Sequence, residues 1–126
     1  MNGDLIILGS TGSIGTSTIN ILKKNREKFK IRLLTSNTNA EKLLKQAILL
    51  KVKNVIIEDV NKFKKYKNIF KNKKINLHLG IRNINKILKT KVEYCINSIS
   101  GISGLEPTLN TIPFSKNLLI ANKESI

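Results

Sequence analysis

The chain has 126 residues, 40% hydrophobic and 25% charged, a composition that excludes a disordered chain and is too short for two ordinary domains, so one domain over 1–126 is expected. No apolar run is long enough to span a bilayer, nothing before Leu5 reads as a signal or transit segment, and the single Cys95 has no internal disulfide partner; a soluble, cytoplasmic protein with no membrane partner is the expectation. The net charge of +15 is spread over the chain and comes with abundant Ile and Asn, which share AT-rich codons with Lys, so genome bias is preferred to nucleic-acid binding as its cause.

The first element is the apolar run Leu5-Ile6-Ile7-Leu8, which reads as a buried parallel strand. It enters Gly9-Ser10-Thr11-Gly12-Ser13-Ile14-Gly15 directly. Ile14, Thr18, Ile21 and Leu22 then recur at helical spacing, so a helix follows at once and ends near Asn25-Arg26-Glu27. Strand, glycine turn and helix make the geometry that holds a phosphate. The glycines let backbone approach an anion, and the free N–H groups at the positive end of the helix face it. Ser10, Thr11 and Ser13 add hydroxyl donors. The spacing Gly-x-x-Gly-x-x-Gly departs from the commonest dinucleotide fingerprint, Gly-x-Gly-x-x-Gly, and a glycine-rich turn without a ligand accounts for the same residues.

Phe29 to Leu34 is a second strand, closed by the polar segment Thr35 to Asn39. Asn39 is a good N-cap for a helix from Ala40 to about Leu50, with Leu43, Leu44, Ala47 and Leu50 on its apolar face. Val55-Ile56-Ile57 is a third strand, ended by Glu58-Asp59. The order β-α-β-α-β becomes a parallel sheet under the right-handed crossover rule. In dinucleotide-binding folds a carboxylate at the end of the second strand takes the ribose 2′-hydroxyl of NAD. Thr35 to Asn39 carries none, which favours NADP, yet it offers no Lys or Arg for the 2′-phosphate. A plain polar loop with an N-cap explains Asn39 equally well.

Phe63, Tyr66 and Phe70 share one face of a lysine-rich segment; a surface helix burying its aromatics is preferred to aromatics that stack on bases. Ile75 to Leu79 is a short strand in which His78 has no partner at metal spacing, and a structural role is preferred. Ile84, Ile87 and Leu88 give a short helix, and Val92 to Ile96 a strand with Cys95 as a small buried hydrophobe. The stretch Asn97 to Gly104 then places a glycine- and serine-rich loop at the carboxyl edge, where ligands bind in open α/β folds. Pro107 suits the first turn of a helix from near Leu105. Asn117 to Ala121 is a last strand delivering Asn122-Lys123-Glu124-Ser125, a polar cluster better explained by a site than by packing. The fold class expected is α/β, a Rossmann-like doubly wound and mainly parallel sheet.

Leu8 to Gly15, Gly104-Leu105-Glu106-Pro107-Thr108-Leu109 and Ala121-Asn122-Lys123-Glu124-Ser125 together resemble the 1-deoxy-D-xylulose 5-phosphate reductoisomerase family, in the right order along the chain. The resemblance implies an NADPH-dependent, divalent-metal-dependent enzyme (manganese or magnesium) of the non-mevalonate isoprenoid pathway, a homodimer acting on a phosphosugar. It implies that Thr11, Gly12, Ser13 and Ile14 cradle the NADPH phosphates, and that Asn39 lies near the adenosine end. Asn122 and Glu124 would contact cofactor and Lys123 substrate. The family usually has a glycine and often a basic residue just before Asn39, where this chain has Asn37 and Thr38. Its metal-binding acidic pair lies beyond the Asn-Lys-Glu-Ser segment, so the expectation is a fragment without catalytic or metal residues that binds NADPH without turnover. The other functions weighed are a different NAD(P)-dependent Rossmann oxidoreductase, of semialdehyde or homoserine dehydrogenase type, and a basic nucleic-acid-binding protein.

Overall fold

The computed structural model describes residues 3–99, 107, 111 and 114–120. Among these the elements run β1 (Gly3–Leu8), α1 (Ser13–Lys23), β2 (Phe29–Ser36), α2 (Ala40–Leu50), β3 (Asn54–Ile57) and α3 (Val60–Asn72). There follow β4 (Asn76–Leu79), a 3-10 turn (Ile81–Asn83), α4 (Ile84–Ile87), β5 (Val92–Asn97) and β6 (Ser115–Ile120). The six strands form one sheet in the order β4-β3-β2-β1-β5-β6, and every neighbouring pair is parallel. This is the Rossmann-like arrangement the sequence predicts.

The topology fixes where a ligand can sit. From β1 the chain steps outward through β2, β3 and β4, then crosses back to lay β5 on the other side of β1. Right-handed crossovers in one direction place their helices on one face, and the reversed direction places them on the other. Accordingly Ile19 of α1, Leu43 of α2 and Phe70 of α3 pack with Leu5 and Ile7. Ile81, Ile84 and Leu88 pack with Ile6 and Leu8 on the opposite face. Successive residues of β1 thus feed opposite cores, which is why Leu5 to Leu8 had to be apolar throughout. The strand order reverses between β1 and β5, so the crevice of this fold opens beyond their carboxyl ends.

Three local features depart from the sequence expectation or add to it. The buried stripe of α1 is Gly15, Ile19 and Leu22; of the expected Ile14, Thr18, Ile21 and Leu22, only Leu22 is buried, and Ile21 is 65% exposed. Gly15 lies hard against the turn after β1, and that contact sets the rotation of the helix. Strand β2 runs on through Thr35 and Ser36, which pair with Ile56 and Ile57 of β3 and are buried. Within β2 the register passes from Leu5↔Ile31 to Ile6↔Leu33, leaving Arg32 as the extra residue of a bulge. Its guanidinium meets Asp4 at 3.1 Å with both side chains more than a third exposed, a pair worth under about 1 kcal/mol.

Elsewhere the structure follows the sequence, save that β6 begins at Ser115, ahead of the expected Asn117. Tyr66 and Phe70 are buried and Phe63 is half-buried, all three packed into the core. His78 Nε2 is 3.1 Å from Asn54 Oδ1 on the neighbouring strand, and partial burial lowers its pKa. Burial pushes the Cys95 thiol up to about 12, so it behaves as an apolar residue and not as a thiolate nucleophile. Pro107 and Thr111 are helical, with the Thr111 hydroxyl donating to the Pro107 carbonyl. The rest of the helix expected from Leu105 lies outside the described residues. No helix among the described residues is long and apolar enough to cross a membrane.

Candidate functional site

At the reversal point the loops after the strands enclose a cleft of about 490 Å³. Gly9, Thr11 and Gly12 line one wall, Thr35 to Asn39 the next, and Glu58, Ser98 and Ile99 much of the remainder. A hollow of similar size, about 510 Å³, lies at the amino ends of β1 and β2, around Asp4, Arg26 and Phe29. It is at the wrong end of the sheet for an α/β ligand site and far from the glycine turn.

The glycine turn is held in place by neighbouring strands and helices. The Gly9 N–H donates to Thr35 Oγ1 at 3.0 Å, and the Ser10 N–H to the Thr35 carbonyl at 2.9 Å. The Thr11 and Ser36 hydroxyls are 2.7 Å apart. From α2, buried Gln46 donates through Nε2 to the Ser10 carbonyl at 2.8 Å. After β5, the Ser98 hydroxyl donates to the Leu8 carbonyl at 2.6 Å. The turn is therefore ordered before any ligand arrives, which lowers the entropic cost of binding. Ser10 corrects the sequence reading: its hydroxyl is fully buried and points at the Thr35 carbonyl, 3.4 Å away, not at the cleft.

Thr35 should be the residue whose loss loosens this turn most simply. Thr35→Val keeps the shape but leaves the Gly9 N–H without its acceptor, at a cost of about 1–2 kcal/mol. Denaturant unfolding of Thr35→Val beside Thr35→Ser checks this. Equal stability of the two variants would show that the hydroxyl does not hold the turn.

The glycines have different reasons for being glycine. Gly9 has φ +72°, and a Cβ there would lie 2.7 Å from Ile99 Cγ1. At Gly15 a Cβ would fall 2.1 Å from the Gly9 carbonyl oxygen, so this residue permits close packing of helix on strand end. Gly12 has neither reason. Its φ of −72° and ψ of 178° suit any residue, and a Cβ would meet nothing nearer than the Gly9 oxygen at 3.8 Å. What Gly12 leaves open is the end of α1. It is the N-cap, with no side-chain hydrogen bond to the helix and no acidic residue in the first turn. By contrast, Asn39 caps α2 by accepting from the Lys42 N–H at 3.1 Å, and Asp59 caps α3 by accepting from the Lys62 N–H at 2.9 Å. Of these three helices, α1, whose N-cap Gly12 lines the cleft, is the one without a side-chain acceptor; the four-residue α4 also lacks one but does not line the cleft. That end of α1 carries unsatisfied donors and partial positive charge, the requirements for an anion.

Of the expected site residues, Thr11 and Gly12 line the cleft and Asn39 lines it further along. Ser13 and Ile14 open α1 directly behind the turn. Asn39 is thus both the cap of α2, as expected, and part of the cleft wall. Asn122, Lys123 and Glu124 lie outside the described residues. Sequence reasoning passed over two members. Glu58 forms part of the wall and accepts the Ile81 N–H at 3.0 and 3.2 Å. Gln46 was legible as a polar residue set within the buried stripe of α2. Among the described residues, no group of three His, Cys, Asp or Glu side chains could hold a metal ion.

Comparison with known proteins identifies what shares this geometry. Residues 5–126 match the family model described as 1-deoxy-D-xylulose 5-phosphate reductoisomerase. The enzyme of that name from Pelagibacter ubique is 48% identical over 124 residues, an alignment covering 97% of this chain and 32% of that one. The one from Thermoanaerobacter sp. is 38% identical over 120 residues, covering 95% and 31%. The solved Zymomonas mobilis reductoisomerase in complex with NADPH superimposes with a TM-score of 0.86 at 27% identity, covering 99% of this chain and 33% of that one. A reductoisomerase in complex with NADPH, fosmidomycin and magnesium gives 0.84 at 27% identity, covering 99% and 31%. The chain spans about one third of the length of these relatives.

Proposed function

The chain belongs to the 1-deoxy-D-xylulose 5-phosphate reductoisomerase family, and we propose that it forms the NADPH-binding part of such an enzyme. The reaction proposed rearranges and reduces 1-deoxy-D-xylulose 5-phosphate to 2-C-methyl-D-erythritol 4-phosphate in the non-mevalonate isoprenoid pathway. The observation that carries this reading is the uncapped first turn of α1 behind Gly12, opening on a cleft at the strand-order reversal.

In this reading Thr11, Gly12, Ser13 and Ile14 hold the cofactor phosphates through backbone N–H groups, and the pinned turn keeps those donors convergent. Asn39 stands toward the adenosine end. Asn122 and Glu124 are assigned to cofactor and Lys123 to the phosphosugar, on the strength of the family motif. Bound NADPH supplies the hydride. The family's divalent cation finds no fitting cluster among the described residues, so no metal role is assigned to them. A homodimer in the cytoplasm completes the proposal.

Titration of the chain with NADPH, NADH and a duplex DNA tests it. The expected result is saturable binding of NADPH, tighter than NADH, with DNA bound weakly if at all. Salt-sensitive DNA binding without nucleotide binding would overturn the proposal in favour of a basic nucleic-acid-binding protein. NADH bound as tightly as NADPH would overturn the cofactor assignment.

A further inference from the structure

We propose that Lys62, in the first turn of α3, supplies the positive charge that holds the cofactor's 2′-phosphate in this chain. The proposal rests on the NADPH reading and names the specificity residue within it. The segment at the end of β2, Thr35 to Asn39, contains no Lys or Arg. A second hollow of about 350 Å³ continues from its far end; Thr38 and Asn39 line both spaces, and Lys62 and Tyr66 line the second. Among the described residues lining either space, Lys62 is the one Lys or Arg. The location is also right: dinucleotide folds place the adenosine ribose beyond the carboxyl end of the second strand.

The surroundings leave Lys62 available. Its backbone N–H is anchored by the Asp59 cap at 2.9 Å, so the side chain starts from a fixed point. Its ammonium stands 6.0 Å from the centroid of the Tyr66 ring. Among the described residues, two carboxylates face these spaces. Glu58 is engaged by the Ile81 N–H. Glu41 accepts from the Tyr66 hydroxyl at 2.9 Å, and that bond, with burial and the Glu41 charge, holds the phenol above its usual pKa and keeps it a donor. A compact ammonium on a flexible stem is a common phosphate binder. The Thr38 hydroxyl and Asn39 amide offer neutral polar groups beside it. The charge missing from the β2 segment is thus provided from a different helix, 23 residues beyond Asn39 in the chain.

The test is binding of NADPH and NADH, and of the fragments 2′,5′-ADP and 5′-AMP, to the unsubstituted chain and to Lys62→Gln, Lys62→Arg and Lys65→Gln. Lys62→Gln is expected to weaken NADPH and 2′,5′-ADP by about ten-fold or more, the scale of a charge-assisted hydrogen bond, with NADH and 5′-AMP unchanged. Lys62→Arg should keep most of the preference, and Lys65→Gln all of it. A Lys62→Gln chain with an undiminished preference for NADPH would overturn the assignment while leaving the NADPH reading intact. An unsubstituted chain that binds none of the four would overturn that reading, and this proposal with it.

Discussion

A Gly15→Ala chain is expected to melt about 8 °C below the unsubstituted chain and to lose dinucleotide binding. The added methyl would lie 2.1 Å from the Gly9 carbonyl oxygen and 2.7 Å from the Ser10 Cα. Both neighbours are backbone, so no side chain can swing aside, and α1 must back away from the end of β1. Overpacking of this kind costs about 3 kcal/mol. Alanine returns about 1 kcal/mol through its higher helix propensity. The net loss of about 2 kcal/mol corresponds to roughly 8 °C for a chain of this size. Binding suffers more than stability, because moving α1 separates its first N–H groups from the turn that aims them. Circular dichroism melting followed by NADPH titration measures both effects. A variant melting at or above the unsubstituted chain would show that α1 and the strand end are not in the contact described.

Much of this arrangement was legible in the sequence for a physical reason. Strands buried on both faces need apolar residues at every position, so Leu5 to Leu8 and Val55 to Ile57 stand out as continuous runs. The caps at Asn39 and the aromatic stripe of α3 are local, and local chemistry survives into the fold. The misses are all tertiary. The rotation of α1 follows from where Gly15 touches the turn, which periodicity cannot encode. Ser10 was read as a hydroxyl donor beside Thr11, which does line the cleft, but the turn sends the Ser10 side chain inward to Thr35. Gln46 reaches the Ser10 carbonyl across 36 residues, and Lys62 meets Thr38 and Asn39 at a hollow only after α3 has packed beside α2. No inspection of Thr35 to Asn39 alone could supply that cation.

Gly12 separates a structural turn from a ligand site, because a carboxylate there should act with opposite signs on folding and binding. Aspartate is a good N-cap and lies at the positive end of α1, where it can accept the N–H groups that Gly12 leaves open. Nothing obstructs its Cβ, so Gly12→Asp should leave the chain as stable as before or up to about 1 kcal/mol more stable. The same carboxylate occupies the donors an incoming pyrophosphate needs and repels it. At an effective dielectric constant near 20, two like charges about 4 Å apart repel by about 4 kcal/mol, so a loss of at least about a hundred-fold in affinity is expected. The decisive measurement is calorimetric titration of NADPH into the unsubstituted and Gly12→Asp chains, beside their melting temperatures. The expected result is an equal or higher melting temperature with NADPH binding lost. A Gly12→Asp chain that binds NADPH as tightly as the unsubstituted one would contradict the central claim that the first turn of α1 is the phosphate cradle.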